Sequence, residues 1–268
     1  ARVNQRLATM AGVGNTQVVG TVSAEQQPDA VEVTVQLENV LTHAVDGGKL
    51  RSLGRKLGML FPSGKAVLTA LGTARKDQSA AMDDDCALVV AQLLAQNTKW
   101  DIQRLRMDTG SISPRGVFFL TRAMSVRPRV RQLVLSNNPV GIQGARFIAE
   151  HVAAHDCVLT ELRLFACRVG TEGARVLGEA LHANRSVRVL DLTNNDVRDE
   201  GAVAMAHMLR ANQALRELRL LNNGVRREGS EALAEALAAN STLELLFVAV
   251  GNNVPAGVFS DHRAVGTL

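Results

Sequence analysis

Histidines, cysteines and clustered carboxylates are where this chain could do chemistry, and their spacing argues against it. The six histidines, His43, His151, His155, His182, His207 and His262, are scattered along 268 residues. His151 and His155 stand one helical turn apart and can share a helix face as two metal ligands do, but no third ligand is in register with them. His182 and His207 fall near predicted helix ends, a solvated setting. Asp83, Asp84 and Asp85 resemble a cation-binding cluster. They directly precede CALVVAQLLAQN, so they more simply start a helix whose dipole favours acids at that end. The three cysteines, Cys86, Cys157 and Cys167, are odd in number and follow no metal or redox spacing. No P-loop, GxGxxG, HExxH or paired CxxC occurs, and no nucleophile–base pair recurs. The expectation is a chain without catalytic residues, metal, cofactor or small-molecule substrate.

What recurs is structural. Val187, Leu190, Leu192, Asn195, Val197 and Gly201 reappear 28 residues later as Leu215, Leu218, Leu220, Asn223, Val225 and Gly229. Going back, the set is Leu159, Leu162, Leu164, Cys167, Val169 and Gly173. Before that it is Val130, Leu133, Leu135, Asn138, Val140 and Gly144, and then Ile102, Leu105, Met107, Gly110, Ile112 and Gly116. Forward from Leu215 it is partial: Leu243, Leu246 and Val248, with Gly251 at the Asn position. Six units thus cover residues 102–254, and a fixed period of this length marks a repeat architecture.

Within a unit, the apolar positions around Leu190 and Leu192 alternate as in a short strand with one buried face. Asn195 at the following turn can point inward and bond backbone groups of adjacent turns. Stacked copies, Asn138, Asn195 and Asn223, would form a structural ladder. Cys167, small and with a weak S–H donor, fills the same slot and needs no reactive role. Asp199 suits a helix N-cap, with Glu200 in the first turn. Gly201–Arg210 has helical apolar spacing. Asn212, like Asn184 and Asn240, stands where a left-handed residue closes a helix. One unit cannot bury its own apolar face, so the units must stack.

The units VRVLDLTNNDVRDEGAVAMAHMLRAN and LRELRLLNNGVRREGSEALAEALAAN resemble the leucine-rich repeats of the ribonuclease-inhibitor-like class. The resemblance implies an α/β solenoid, a horseshoe with parallel strands on the concave face and helices on the convex face. It says little about function, because the scaffold serves unrelated partners. Ahead of it lies a non-repeat N-terminal segment or cap, 1–75, in which AVEVTVQLENV (30–40) reads as a strand and LRSLGRKLGMLF (50–61) as a short amphipathic cap helix. Residues 76–101 read as a degenerate repeat or cap helix, with Trp100 plugging the junction. Residues 255–268 form a C-terminal tail too short for another unit.

Composition limits the class of function. Hydrophobic residues make up 46% and aromatics only 3%, so the core must be Leu, Val and Ala in thin layers. No apolar run reaches the length of a membrane span, and ARVNQRLATMAG has no apolar signal core. The cysteine pattern favours an intracellular, reducing compartment: cytoplasm, including cytoskeletal or ciliary structures, or mitochondrion. Residues 1–101 hold ten basic and ten acidic groups, and residues 102–268 twenty and sixteen, so the excess charge of +4 lies in the repeats. Every basic residue after Lys99 is Arg. Arg suits bidentate contacts to phosphate and carboxylate, and a GC-rich genome also replaces Lys by Arg.

Candidate partner-binding residues on the concave face are Arg104, Arg106, Arg131, Arg163, Phe165, Arg188, Asp191, Arg216, Arg219, Leu221 and Phe247. Arg163 stands one repeat from Asp191, and Asp191 one repeat from Arg219, so they can pair along the sheet. The leading expectation is a non-enzymatic protein–protein interaction scaffold, a subunit of a large assembly. An alternative is a peripheral subunit of a ribonucleoprotein such as a mitochondrial ribosome, with Arg reaching RNA phosphates. Scarce aromatics and interleaved acids weigh against RNA. A second alternative, a regulator of a GTPase or other enzyme, meets two departures: this chain lacks the acidic, Cys-rich character of the ribonuclease inhibitors and the acidic tail of the GTPase activators.

Overall fold

Leucines at a period of two can bury one strand face only against a layer of helices, and the fold follows from that requirement. The computed structural model describes residues 3–6, 19–27, 30–38, 65–72, 83–96 and 101–259. Strands β1 (Val3–Arg6), β2 (Val19–Gln27), β3 (Ala30–Glu38) and β4 (Lys65–Gly72) precede helix α1 (Asp84–Gln96). Then strand and helix alternate: β5 (Asp101–Arg106), α2 (Pro114–Val126), β6 (Gln132–Val134), α3 (Gly141–Ala153), β7 (Glu161–Arg163) and α4 (Gly170–His182). The series continues with β8 (Val189–Asp191), α5 (Arg198–Ala211), β9 (Glu217–Arg219), α6 (Arg227–Ala239) and β10 (Leu245–Phe247). The segment 50–61, Trp100 and the end of the tail lie outside the described residues.

All ten strands form one sheet in chain order. From β3 to β10 every pairing is parallel, whereas β1–β2 and β2–β3 are antiparallel. The segment before the repeats therefore extends the sheet. With β4 parallel to β5, α1 completes a strand–helix unit that begins at Lys65, ahead of the boundary expected at residue 76.

Leu105, Leu133, Leu162, Leu190, Leu218 and Leu246 lie side by side across β5–β10, all essentially inaccessible. Against them pack helix residues such as Leu177, Leu181, Met205, Leu209 and Leu233. Each buried leucine contributes roughly 1.5–3 kcal/mol, and each depends on the neighbouring repeat. The glycine opening each helix is a packing requirement. A Cβ on Gly144, Gly173 or Gly201 would sit 2.6 Å from Cγ1 of Val140, Val169 or Val197.

Each Asn side chain at the strand-to-helix turn ties its own repeat to the one before it. Asn195 Nδ2 donates to the carbonyls of Leu164 (2.6 Å) in the previous repeat and Leu192 (2.9 Å) in its own. Its Oδ1 accepts from the backbone N–H of Cys167 (2.9 Å) and Val169 (3.1 Å). Asn223 repeats this against Leu192, Asn195 and Val197, and Asn138 against Met107, Leu135 and Ile112. Cys167 Sγ donates to the Leu135 carbonyl at 3.1 Å. In the last unit the rung is Asn252, one residue beyond the expected Gly251. Its Oδ1 accepts from Asn223 N (2.8 Å) and Val225 N (3.0 Å). Gly251, at φ +72°, absorbs the extra residue.

Two local expectations are corrected. Asn184, Asn212 and Asn240 do not close helices in the left-handed region: Asn212 and Asn240 are extended, and Ala183 caps α4. They form a second ladder. Asn212 Nδ2 donates to the carbonyls of Leu181 (2.6 Å) and Asn184 (3.0 Å), while Oδ1 accepts from Ala214 N and Leu215 N. Asp199 does not cap its own helix, whose N-cap is Val197. Its carboxylate accepts from Arg226 N (2.7 Å) and Gly229 N (3.0 Å) and so caps α6, one repeat on. Asp84 does the same for α2 through Ser113 N and Gly116 N, while Asp83 caps α1 through Asp85 N and Cys86 N.

Asn195→Ala would strand the N–H groups of Cys167 and Val169 and the carbonyl of Leu164. Each such buried group costs about 1–3 kcal/mol, so urea unfolding should show a loss of roughly 3 kcal/mol or more. Cys167→Ala, which removes one weak donor, should cost clearly less in the same measurement.

Candidate protein-binding face

Because Leu105 and its equivalents point inward, the residues on either side of them point outward. Two columns of side chains result. One runs Arg104, Gln132, Glu161, Val189, Glu217 and Leu245. The other runs Arg106, Val134, Arg163, Asp191, Arg219 and Phe247. Adjacent members sit about 4.8 Å apart, the strand spacing. Arg131, Arg188 and Arg216 belong to neither column, since each immediately precedes its strand. Arg188 Nη1 donates to the Ala214 carbonyl (2.9 Å) and Arg216 Nη1 to the Thr242 carbonyl (2.7 Å), so both fasten the start of the next repeat.

The register does place Arg163 beside Asp191 and Asp191 beside Arg219, but the ion pairs run along the strands. Arg163 pairs with Glu161, and Arg219 with Glu217, each two residues earlier on the same face. Asp191 has the shorter side chain. It turns into the sheet, 7% exposed, and accepts from Thr193 N at 3.0 Å. Arg106 Nε and Nη2 fork onto Asp108 at 2.7 and 3.0 Å, and that hydrogen bonding holds the Asp108 carboxyl below its usual 3.8. Arg104 Nε donates to Gln132 Oε1 on the next strand.

The apolar candidates separate in the same way. Phe165, at the turn leaving β7, is exposed at 36%, and Leu221 is half-buried. Phe247 is 8% exposed, with the Arg219 guanidinium 4.9 Å from its ring centroid. Sequence reasoning missed Leu245, 42% exposed, and Val250, 51% exposed, in the last repeat. The signal was available: adding 28 to Glu217 lands an apolar residue in an outward column.

His151 and His155 are not brought together as a site. His151 is buried in α3, where Nδ1 lies 3.1 Å from Ser125 Oγ and burial lowers its pKa, while His155 follows the helix end and is exposed. Among the described residues no group of three or more His, Cys, Asp or Glu could hold a metal, and no helix is long and apolar enough to cross a membrane. The three thiols are free, with Cys86 and Cys167 buried. Burial pushes the Cys86 thiol up to about 11 and the Cys167 thiol to about 12. The thiolate is the nucleophile, so at pH 8 both are almost wholly protonated. Timed labelling of the folded chain with a thiol-disulfide reagent at pH 8 should modify the half-buried Cys157 first. Cys86 and Cys167 should react at comparable rates only after denaturation.

Comparison with known proteins agrees with this geometry. A family model described as Leucine Rich repeat matches residues 155–178 and 183–206. Ribonuclease inhibitor of Sus scrofa is 31% identical over 102 residues, 38% of this chain and 22% of its own length. NACHT, LRR and PYD domains-containing protein 12 of Homo sapiens is 32% identical over 111 residues, 40% of this chain and 10% of its own. A solved chain titled leiomodin-1 actin-binding site 2 aligns over 54% of this chain and 66% of that one at 20% identity. Its TM-score is 0.35, too loose a likeness to carry an argument. The chain thus spans less than a quarter of the length of these two curated relatives. The stacked strand–helix units, the Asn rungs and the matching relatives together identify it as a leucine-rich repeat protein of the ribonuclease-inhibitor-like class.

Proposed function

We propose that the repeat array is a non-enzymatic protein-interaction scaffold that docks another protein on its concave face, within a larger assembly. The observation that supports this most is the outward sheet face itself. Arg163 and Arg219 are held in place by Glu161 and Glu217, beside the exposed Leu245 and near the exposed turn residues Phe165 and Val250. Pre-oriented charges with apolar anchors suit a folded protein surface, because little side-chain entropy is lost on contact. RNA fits less well, since each of these Arg already faces a carboxylate that would repel phosphate. Three free thiols fit a reducing compartment.

The test is gradient sedimentation of native lysate with and without ribonuclease, followed by mass spectrometry of the fraction holding this chain. A large particle indifferent to ribonuclease, lost from the Leu245→Asp variant, is the expected result. A particle that ribonuclease dissolves would transfer the protein to a ribonucleoprotein, and migration as a free monomer would end the assembly reading.

A further inference from the structure

The helix layer carries a second surface, and α2 differs there from every later helix. Gly116, Val117, Leu120, Ala123 and Met124 face the core. Arg115, Phe118, Phe119, Arg122 and Val126 recur at i, i+3, i+4, i+7 and i+11, which sets them on one outer stripe. Phe118 is 39% and Val126 68% exposed, and Ile142 on α3 adds 41%. These are three of the six exposed large hydrophobics among the described residues. Phe118 packs edge-on against Phe119 at 5.9 Å and Phe147 of α3 at 5.2 Å, and the Arg115 guanidinium lies 5.6 Å from the Phe119 centroid. Three of the seven phenylalanines of the chain therefore meet at one place on the outside of the solenoid.

The repeat supplies its own control. At the position of Phe118 the later helices carry Arg146, Arg175, Val203 and Glu231. At the position of Arg122 they carry Glu150, Glu179, His207 and Glu235. Those helices pair their charges, as in Arg175 with Glu172 and Glu179, Arg227 with Glu231, and Arg210 with Glu235. Helix α2 has no acid of its own. From Thr109 to Ala149 the chain has six Arg and no Asp or Glu. The nearest acid ahead of α2 along the chain, Asp108, is engaged by Arg106, and Asp84 of α1 is engaged in capping α2.

We propose that the outer face of α2, extended by Phe118's contact with α3, docks an acidic segment of a partner protein that carries aliphatic or aromatic side chains. The apolar stripe supplies the burial, and Arg115 and Arg122 select carboxylates at its margins. A nucleic acid fits less well. The rings are engaged edge to face with one another, whereas base stacking needs an open ring face. The basic area also stops at Glu172, which Arg146 reaches at 3.5 Å, so no basic track continues along the helices. This surface is separate from the concave face.

The experiment is a fluorescence-anisotropy titration of the full chain with a labelled amphipathic peptide of Glu and Leu, about five helical turns long. Saturable binding is expected, weakened about tenfold by Phe118→Ser and again by Arg122→Glu. Thermal unfolding monitored by circular dichroism should be unchanged for the exposed Arg122→Glu and modestly lowered for Phe118→Ser, which loses its ring contacts with Phe119 and Phe147, with both variants folded at the titration temperature. Leu245→Asp, on the concave face, should leave binding intact. Competitors consisting of a Lys/Leu peptide, a Glu/Ser peptide, single-stranded RNA and phosphatidylserine vesicles should not displace the probe. No binding, equal binding by the α2 variants, loss only in Leu245→Asp, or displacement by any of these competitors would overturn the proposal.

Discussion

The structure depends on one polar constraint: the turn after each strand buries backbone that no sheet or helix can satisfy. A single Asn answers it, because one amide supplies two donors and an acceptor with two lone pairs. Asn195 binds carbonyls of two repeats and the N–H groups of the one before it. The leucine layers can pack only because this seam is closed. Where the rung is Cys167, the sulfur meets the Leu135 carbonyl, and the burial that makes the slot dry also holds the thiol protonated. Where a residue is inserted, Gly251 bends so that Asn252 still reaches the rung.

The opposite end of each unit follows the same logic. Asn184, Asn212 and Asn240 tie the helix-to-strand turns into a second ladder, and Asp84 and Asp199 cap helices of the following repeats rather than their own. Most of the polar groups that end one repeat are thus satisfied by its neighbour. Stability in such an array is a sum of nearest-neighbour interfaces, and polar bonds as well as leucines cross every interface here. The N-terminal strands continue the sheet past β5, so that edge is covered by the chain itself.

With the seams closed, the outward positions are released from structural duty, and the two surfaces have diverged. On the strands, Arg and Glu fall two residues apart and pair within a strand. On the helices, most Arg and Glu fall three or four apart or face each other across repeats, and they pair too. Helix α2 breaks that habit, with a phenylalanine and unmatched Arg where α3, α4 and α6 carry paired charges. A departure from the repeat at a position the fold does not need is a functional signal of a kind that a repeat protein is well suited to reveal.

The sequence by itself determined the repeat, its period, the inward leucines and the rung residues Asn138, Cys167, Asn195 and Asn223, because each is a local pattern copied at fixed spacing. It could not decide which partner a polar side chain takes when several are one repeat away. Asp199 reads as a cap for its own helix, yet stacking brings the next helix start closer to its carboxylate. Asp191 reads as a partner for Arg163, yet its short side chain reaches Thr193 N first. Arg188 and Arg216 read as binding residues, yet each hydrogen-bonds a carbonyl at the start of the next repeat. The meeting of Phe118 with Phe147, 29 residues apart, also exists only after stacking. Periodicity sets which face a residue occupies, but only the packed neighbour decides what that residue touches there.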